Sequence, residues 1–210
     1  MRNFHAKSHQ PPGVRNVQKV SAPIAKMNKP RHTYGIFGQS ESGKTTLAQA
    51  LSIGFWERLQ IKTLVLVVQE HELPSWAKLR HATTYLSEKQ FWRAVWDQTG
   101  KVVIIEDAVL SVDRKKDLRP VFTTLRHNEH RTIVVGHHGS ELLPLMRQNI
   151  QELYLFRQPD DVAKDWAHDM VDEGLREAST LDQYEYLHCV RWKGTTRERL
   201  DESEIVRALR

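Results

Sequence analysis

Nearly continuous apolar runs alternate along this chain with longer stretches whose apolar residues recur every three or four positions. YGIF (34–37), KTLVLVV (62–68), KVVII (101–105), TIVV (132–135) and ELYLF (152–156) are the runs. They fit strands covered on both faces. YEYLHCV (184–190) reads as a last strand. In the helix expected over 46–60, Leu47, Leu51, Phe55 and Leu59 fall at near-helical spacing. SEKQFWRAVWDQ places Phe91, Trp92, Val95 and Trp96 on one helical face, with Ser87 as its N-cap. DLRPVFTTLRH predicts a helix with Pro120 in its first turn. DDVAKDWAHDMVDEG sets Val162, Trp166 and Met170 four apart, with Gly174 closing the helix. Strands alternating with helices predict an α/β fold, a mostly parallel sheet with helices on both faces.

Composition divides the chain into three parts. Residues 1–30 carry scattered Lys and Arg, no Asp or Glu, and four prolines that break any periodicity, so they read as a basic arm. Residues 31–190 hold the alternating pattern, and 191–210 form a charged tail with room for one short helix. The formal charge of +5 permits an acidic partner such as nucleic acid without requiring one. The single cysteine, Cys189, excludes an internal disulfide framework. No apolar run approaches the ~18 residues of a membrane span, and no secretory signal is evident, so a soluble intracellular protein is expected.

The chemistry begins at GQSESGKTT. Gly38-x-x-x-x-Gly43-Lys44-Thr45 fits the phosphate-binding P-loop, here between a strand and a helix. The glycines let backbone N–H groups face a phosphate, and the following helix begins at the anion. The expected nucleotide-binding residues are Gly38, Gln39, Ser40, Glu41, Ser42, Gly43, Lys44, Thr45 and Thr46. Lys44 reaches the β- and γ-phosphates of ATP, and Thr45 offers a hydroxyl to Mg²⁺.

KVVII then ends in Glu106 and Asp107. Two acids at a strand tip suit the Walker B role: one holds the Mg²⁺ shell, the other orients and deprotonates water. By position, Glu106 is the metal-side acid and Asp107 the base; the reverse order is commoner, and the roles can be exchanged. A switch GTPase is disfavoured, because Asp97-Gln-Thr-Gly100 precedes a strand instead of following one and no NKxD is present. A small-molecule or nucleoside kinase stays open, as does a nucleotide-binding assembly or secretion protein.

Two further segments narrow the class: TLRHNEHRTIVVGHHGSELLPLMRQNI (124–150) and ELYLFRQPDDVAKDWA (152–167). With the P-loop and the acids, their order resembles the FtsK–HerA superfamily, and within it the genome-packaging ATPases of tailless icosahedral viruses with double-jelly-roll capsids. The resemblance covers about residues 33–190. It implies a ring that hydrolyses ATP to move double-stranded DNA without sequence preference. It also implies residence in host cytoplasm or virion, with a capsid vertex or internal membrane protein as partner. Arg126 stands where that family has an arginine finger reaching a neighbour's nucleotide, with Arg147 and Arg157 as rivals. His138 stands where the family usually has a sensor glutamine, with His137 beside it.

Arg114, Lys115, Lys116 and Arg119 follow the acids and suit phosphate contacts with DNA; a solvated charged loop is the alternative. Arg191-Trp192-Lys193 is a second candidate. His127, His130, His137, His138 and Cys189 show no recognised zinc spacing.

Overall fold

The computed structural model describes residues 32–67, 69–108, 119–139 and 142–201. The runs of the sequence become one eight-stranded sheet. In chain order the elements are β1 (Thr33–Phe37), α1 (Lys44–Leu59), β2 (Thr63–Leu66), α2 (Leu73–Ala77), β3 (Ala82–Tyr85) and α3 (Glu88–Trp96). Then come β4 (Val102–Ile105), α4 (Arg119–Thr123), β5 (Arg131–Gly136), α5 (Pro144–Gln148), β6 (Glu152–Phe156), α6 (Asp160–Met170), β7 (Glu185–Val190) and β8 (Gly194–Arg199). The spatial order is β3-β2-β4-β5-β1-β6-β7-β8. Strands β1 to β6 pair in parallel, while β7 and β8 are antiparallel.

The apolar runs are continuous because the sheet is buried twice. Val65, Ile104, Ile133 and Tyr154 face Leu47, Leu51 and Phe55 of α1 and Trp76 of α2. Their sequence neighbours Leu64, Leu66, Val103, Val134 and Leu153 point the other way, into Phe91, Phe122, Met146 and Trp166. The two-residue period of a strand sends alternate side chains to opposite cores.

Several expectations change. β3 was not anticipated, because ATTY is polar and half exposed at a sheet edge. In α3, the Ser87 hydroxyl accepts from the Gln90 N–H as expected, and Phe91 and Val95 are buried. Trp96 is 45% exposed, since five residues carry it about 140° around the helix from Phe91. The helix expected over 117–127 is the short α4 followed by a 3-10 turn, Leu125–Asn128. Gly174 does not cap α6. The helix ends at Val171, which takes the left-handed conformation, and Asp172 accepts from the Gly174 N–H to open a 3-10 segment. Within the charged tail, residues 194–199 add β8 to the sheet, and 202–210, where the short helix could still fall, lie outside the described residues. GTTRER hid this strand, since edge strands are often charged.

The β6–β7–β8 corner is held by a buried charge network. His188 Nε2 lies 2.7 Å from Glu152 Oε1, and its Nδ1 lies 3.4 Å from Glu198 Oε1. Tyr154 donates to Glu152 and Tyr186 to Glu198. Burial works against a charged imidazole here, but the two carboxylates outweigh it and push His188 up to about 9. The folded pKa lies above the ordinary 6.5, so this stabilisation is full below pH 6.5 and is lost as pH rises through 9. His188→Gln is expected to cost about 3–5 kcal/mol at pH 6, because it strands two buried carboxylates. The difference in denaturation midpoint between variant and wild type should shrink above pH 9; urea melts across pH check this.

Candidate functional site

Parallel pairing carries the ends of β1, β2, β4, β5 and β6 to one edge of the sheet, where a cleft of about 540 Å³ opens. β1 runs into the P-loop. The Gly38 N–H donates to the Gly136 carbonyl at the tip of β5 (3.3 Å), and the Gln39 N–H to the Arg157 carbonyl beyond β6 (3.4 Å). Each is a tie to a flanking strand. A Cβ on Gly38 would sit 2.5 Å from Phe156 Cβ, so only hydrogen fits there. Gly43 turns the chain into α1 at φ +104, and a Cβ there would meet Leu200 Cδ1 at 2.5 Å. α1 starts at Lys44, whose Nζ donates back to the Gln39 carbonyl (2.8 Å). Ser40, Glu41, Lys44, Thr45 and Thr46 line the cleft, while Gly38 and Ser42 lie buried in the loop. The amides at this helix N-terminus suit an anion.

The acids arrive on β4. Glu106 is 2% exposed, and Thr45 Oγ1 donates to its Oε2 at 3.4 Å. Burial, then the nearby Glu72, push the Glu106 carboxyl up to about 8, against the opposing pull of Lys44 and Thr45. Asp107 turns away from the strand at φ +44, and its Oδ2 lies 3.9 Å from His137 Nε2. β5 runs between β1 and β4, so its tip, Gly136 and His137, sits between phosphate loop and acids.

Of the two histidines, His137 lines the cleft. The His138 ring sits against Gln158, Nδ1 to Oε1 at 3.2 Å, and Gln158 Nε2 donates to the His137 carbonyl at 2.8 Å. His138 thus braces the turn that carries His137. His130 is a core residue: Nδ1 accepts from the Lys101 N–H (3.1 Å), leaving Nε2 to donate to the Val95 carbonyl (3.0 Å). Burial holds its pKa below the ordinary value.

The arginines separate cleanly. Arg147 is fixed, pairing with Asp169 and donating to the Gly139 (2.9 Å) and Leu142 (3.3 Å) carbonyls, so it has no reach left for a finger. Arg157 is exposed beside the P-loop. Arg126 is exposed on the 3-10 turn. That turn ends at Asn128, whose carbonyl accepts from Gly100 at the start of β4, the edge opposite the cleft. Arg191 is another pinned residue, donating to the Ile150 (2.9 Å) and Asp169 (3.2 Å) carbonyls, while Trp192 beside it is 80% exposed. Arg114, Lys115, Lys116 and the side chain of Arg119 lie outside the described residues.

Sequence reasoning missed two contributors. Gln69, His71 and Glu72 enter from the segment after β2, and Gln183 and Tyr184 from the turn before β7. Burial raises the Glu72 carboxyl, with His71 opposing. QEHE directly after KTLVLVV was a usable signal, an acid at a strand end just as after KVVII. The Thr45 hydroxyl and Glu106 carboxylate, 3.4 Å apart, are the hard oxygen donors that Mg²⁺ takes.

The raised pKa of Glu106 means that its ionised form destabilises the ligand-free fold. That penalty is small near the ordinary 4.5 and full once pH passes 8. Glu106→Gln should therefore raise the melting temperature of the ligand-free protein at pH 8.5. The gain should shrink at pH 5; thermal melts at the two pH values check this.

No protein-family model matches the chain, and no curated protein matches it. Solved structures do. The genome packaging NTPase B204 from Sulfolobus turreted icosahedral virus 2, in complex with ATP-gammaS, is 14% identical with a TM-score of 0.67. The match covers 81% of this chain and 98% of that one. VirB4 of Thermoanaerobacter pseudethanolicus is 8% identical with a TM-score of 0.60, covering 80% and 89%. EssC (ATPases 2 and 3) from Geobacillus thermodenitrificans is 13% identical with a TM-score of 0.61, covering 85% and 42%. The likeness establishes the fold: this chain shares with B204, VirB4 and EssC an α/β architecture built on a mostly parallel sheet.

Proposed function

We propose that this chain is an ATP-driven translocase of double-stranded DNA, working as a genome-packaging motor that fills a viral capsid. The observation that carries the reading is the meeting of Lys44, Thr45, Glu106, Asp107 and His137 in one cleft, in a fold shared with a genome-packaging NTPase. Lys44 and the loop amides hold the β- and γ-phosphates. The Thr45 hydroxyl and the Glu106 carboxylate would hold Mg²⁺, which would supply neutralising charge to the nucleotide. Asp107 orients the attacking water and takes its proton. His137, 3.9 Å from Asp107, fills the sensor role at the tip of β5.

Arg126 stands away from its own cleft, so it serves as a finger only toward a neighbour's nucleotide, which a ring supplies. The basic segment 111–119 follows the acids directly in sequence, where nucleotide state can be passed to DNA phosphates. The basic arm 1–30 suits docking on a capsid vertex or an internal membrane protein. Work then takes place in host cytoplasm and at the virion.

Hydrolysis of ATP measured with and without double-stranded DNA tests this. Stimulation should fade with salt and vanish in Lys44→Ala. Hydrolysis indifferent to DNA, or phosphoryl transfer to a small acceptor, would reject it in favour of a kinase. Mixing Arg126→Ala with wild type should depress activity more than in proportion to the variant added, through mixed rings. Strict proportionality would remove the finger from Arg126.

A further inference from the structure

The cleft has a flank that phosphate chemistry does not use. Gln183 and Tyr184 line it from the turn that enters β7. Tyr184 sits at φ +65, a left-handed conformation that is an outlier for an aromatic residue. The surrounding contacts impose it. The Leu200 N–H donates to the Tyr184 carbonyl (2.9 Å), closing the β7–β8 hairpin behind it. The Glu185 N–H donates to the Asp182 carbonyl (3.1 Å), and the Glu185 carboxylate accepts from the Asp182 N–H (3.0 Å) and from Arg197. Strain that is over-determined in this way gathers where a side chain must be held ready for a ligand.

The Tyr184 ring lies against the phosphate loop: its Cδ1 is 3.3 Å from where a Cβ on Gly43 would stand. The residue packs on the core beside α1, is only partly buried, and lines the cleft. Gln183 is exposed next to it and carries both a donor and an acceptor. A bare triphosphate needs only the loop and the acids. A nucleotide also brings a flat base that favours an aromatic surface.

Resting on the P-loop reading above, we propose that Tyr184 and Gln183 form the nucleobase site of this cleft, the ring stacking on the base and the amide meeting its polar edge. The hairpin β7–β8 is then part of the nucleotide site and not only an edge of the sheet.

Calorimetric titration of ATP and of inorganic tripolyphosphate into the full chain tests this. Tyr184→Asn removes the ring but tolerates positive φ. It should weaken ATP roughly tenfold, as loss of one stacking contact does, and leave tripolyphosphate unchanged. Tyr184→Trp restores a ring and should return ATP to near wild-type affinity. Equal losses for both ligands, or no loss for either, would overturn the assignment, because both outcomes leave the base without a contribution from the ring. Failure of the P-loop reading looks different: wild type then binds neither ligand, or Lys44→Ala binds both as well as wild type, and the base site falls with it.

Discussion

Parallel pairing is the constraint on which the rest of this molecule depends. When β3, β2, β4, β5, β1 and β6 run the same way, every strand ends at the same edge of the sheet. Residues far apart in sequence, Lys44, Glu72, Glu106 and His137, meet there without any special device. The same constraint demands helical crossovers, which cover both faces and make the strands apolar throughout. Placing β5 between β1 and β4 leaves a gap between the phosphate loop and the acids, and a strand tip fills it.

Electrostatics at that edge run against stability. Glu106 is taken out of water beside Glu72 and Asp107, with one lysine and one hydroxyl in partial compensation. A fold selected for stability alone would put an amide there. The Glu152–His188–Glu198 network, by contrast, offsets two buried acids with a cation between them. The two sites show why one cluster reads as chemistry and the other as structure: acids paired with a buried cation hold a fold, and a carboxylate whose pKa is raised by burial in a cleft marks a functional site.

The fold was legible where burial wrote it into the residues. The five nearly continuous runs, the P-loop and the two acids all lie where periodicity and spacing place them. What escaped lies at edges. β3 and β8 are half exposed, so polarity masks their strand character, and with β8 hidden the hairpin that brings Tyr184 to the cleft was hidden too. Which of His137 and His138 lines the cleft depends on the way a turn faces, and Gln158, twenty residues on, holds that turn. Gly174 looked like a helix end, yet the helix closed three residues earlier at Val171, because Asp172 is engaged by Gly174 and by Thr195 of the neighbouring hairpin.

Movement along DNA is the central claim, and it is measured most directly by displacement of a triplex-forming strand from a double-stranded track. The account predicts displacement that requires ATP and is absent with Lys44→Ala. ATP hydrolysed on bound DNA with the triplex left intact would contradict it.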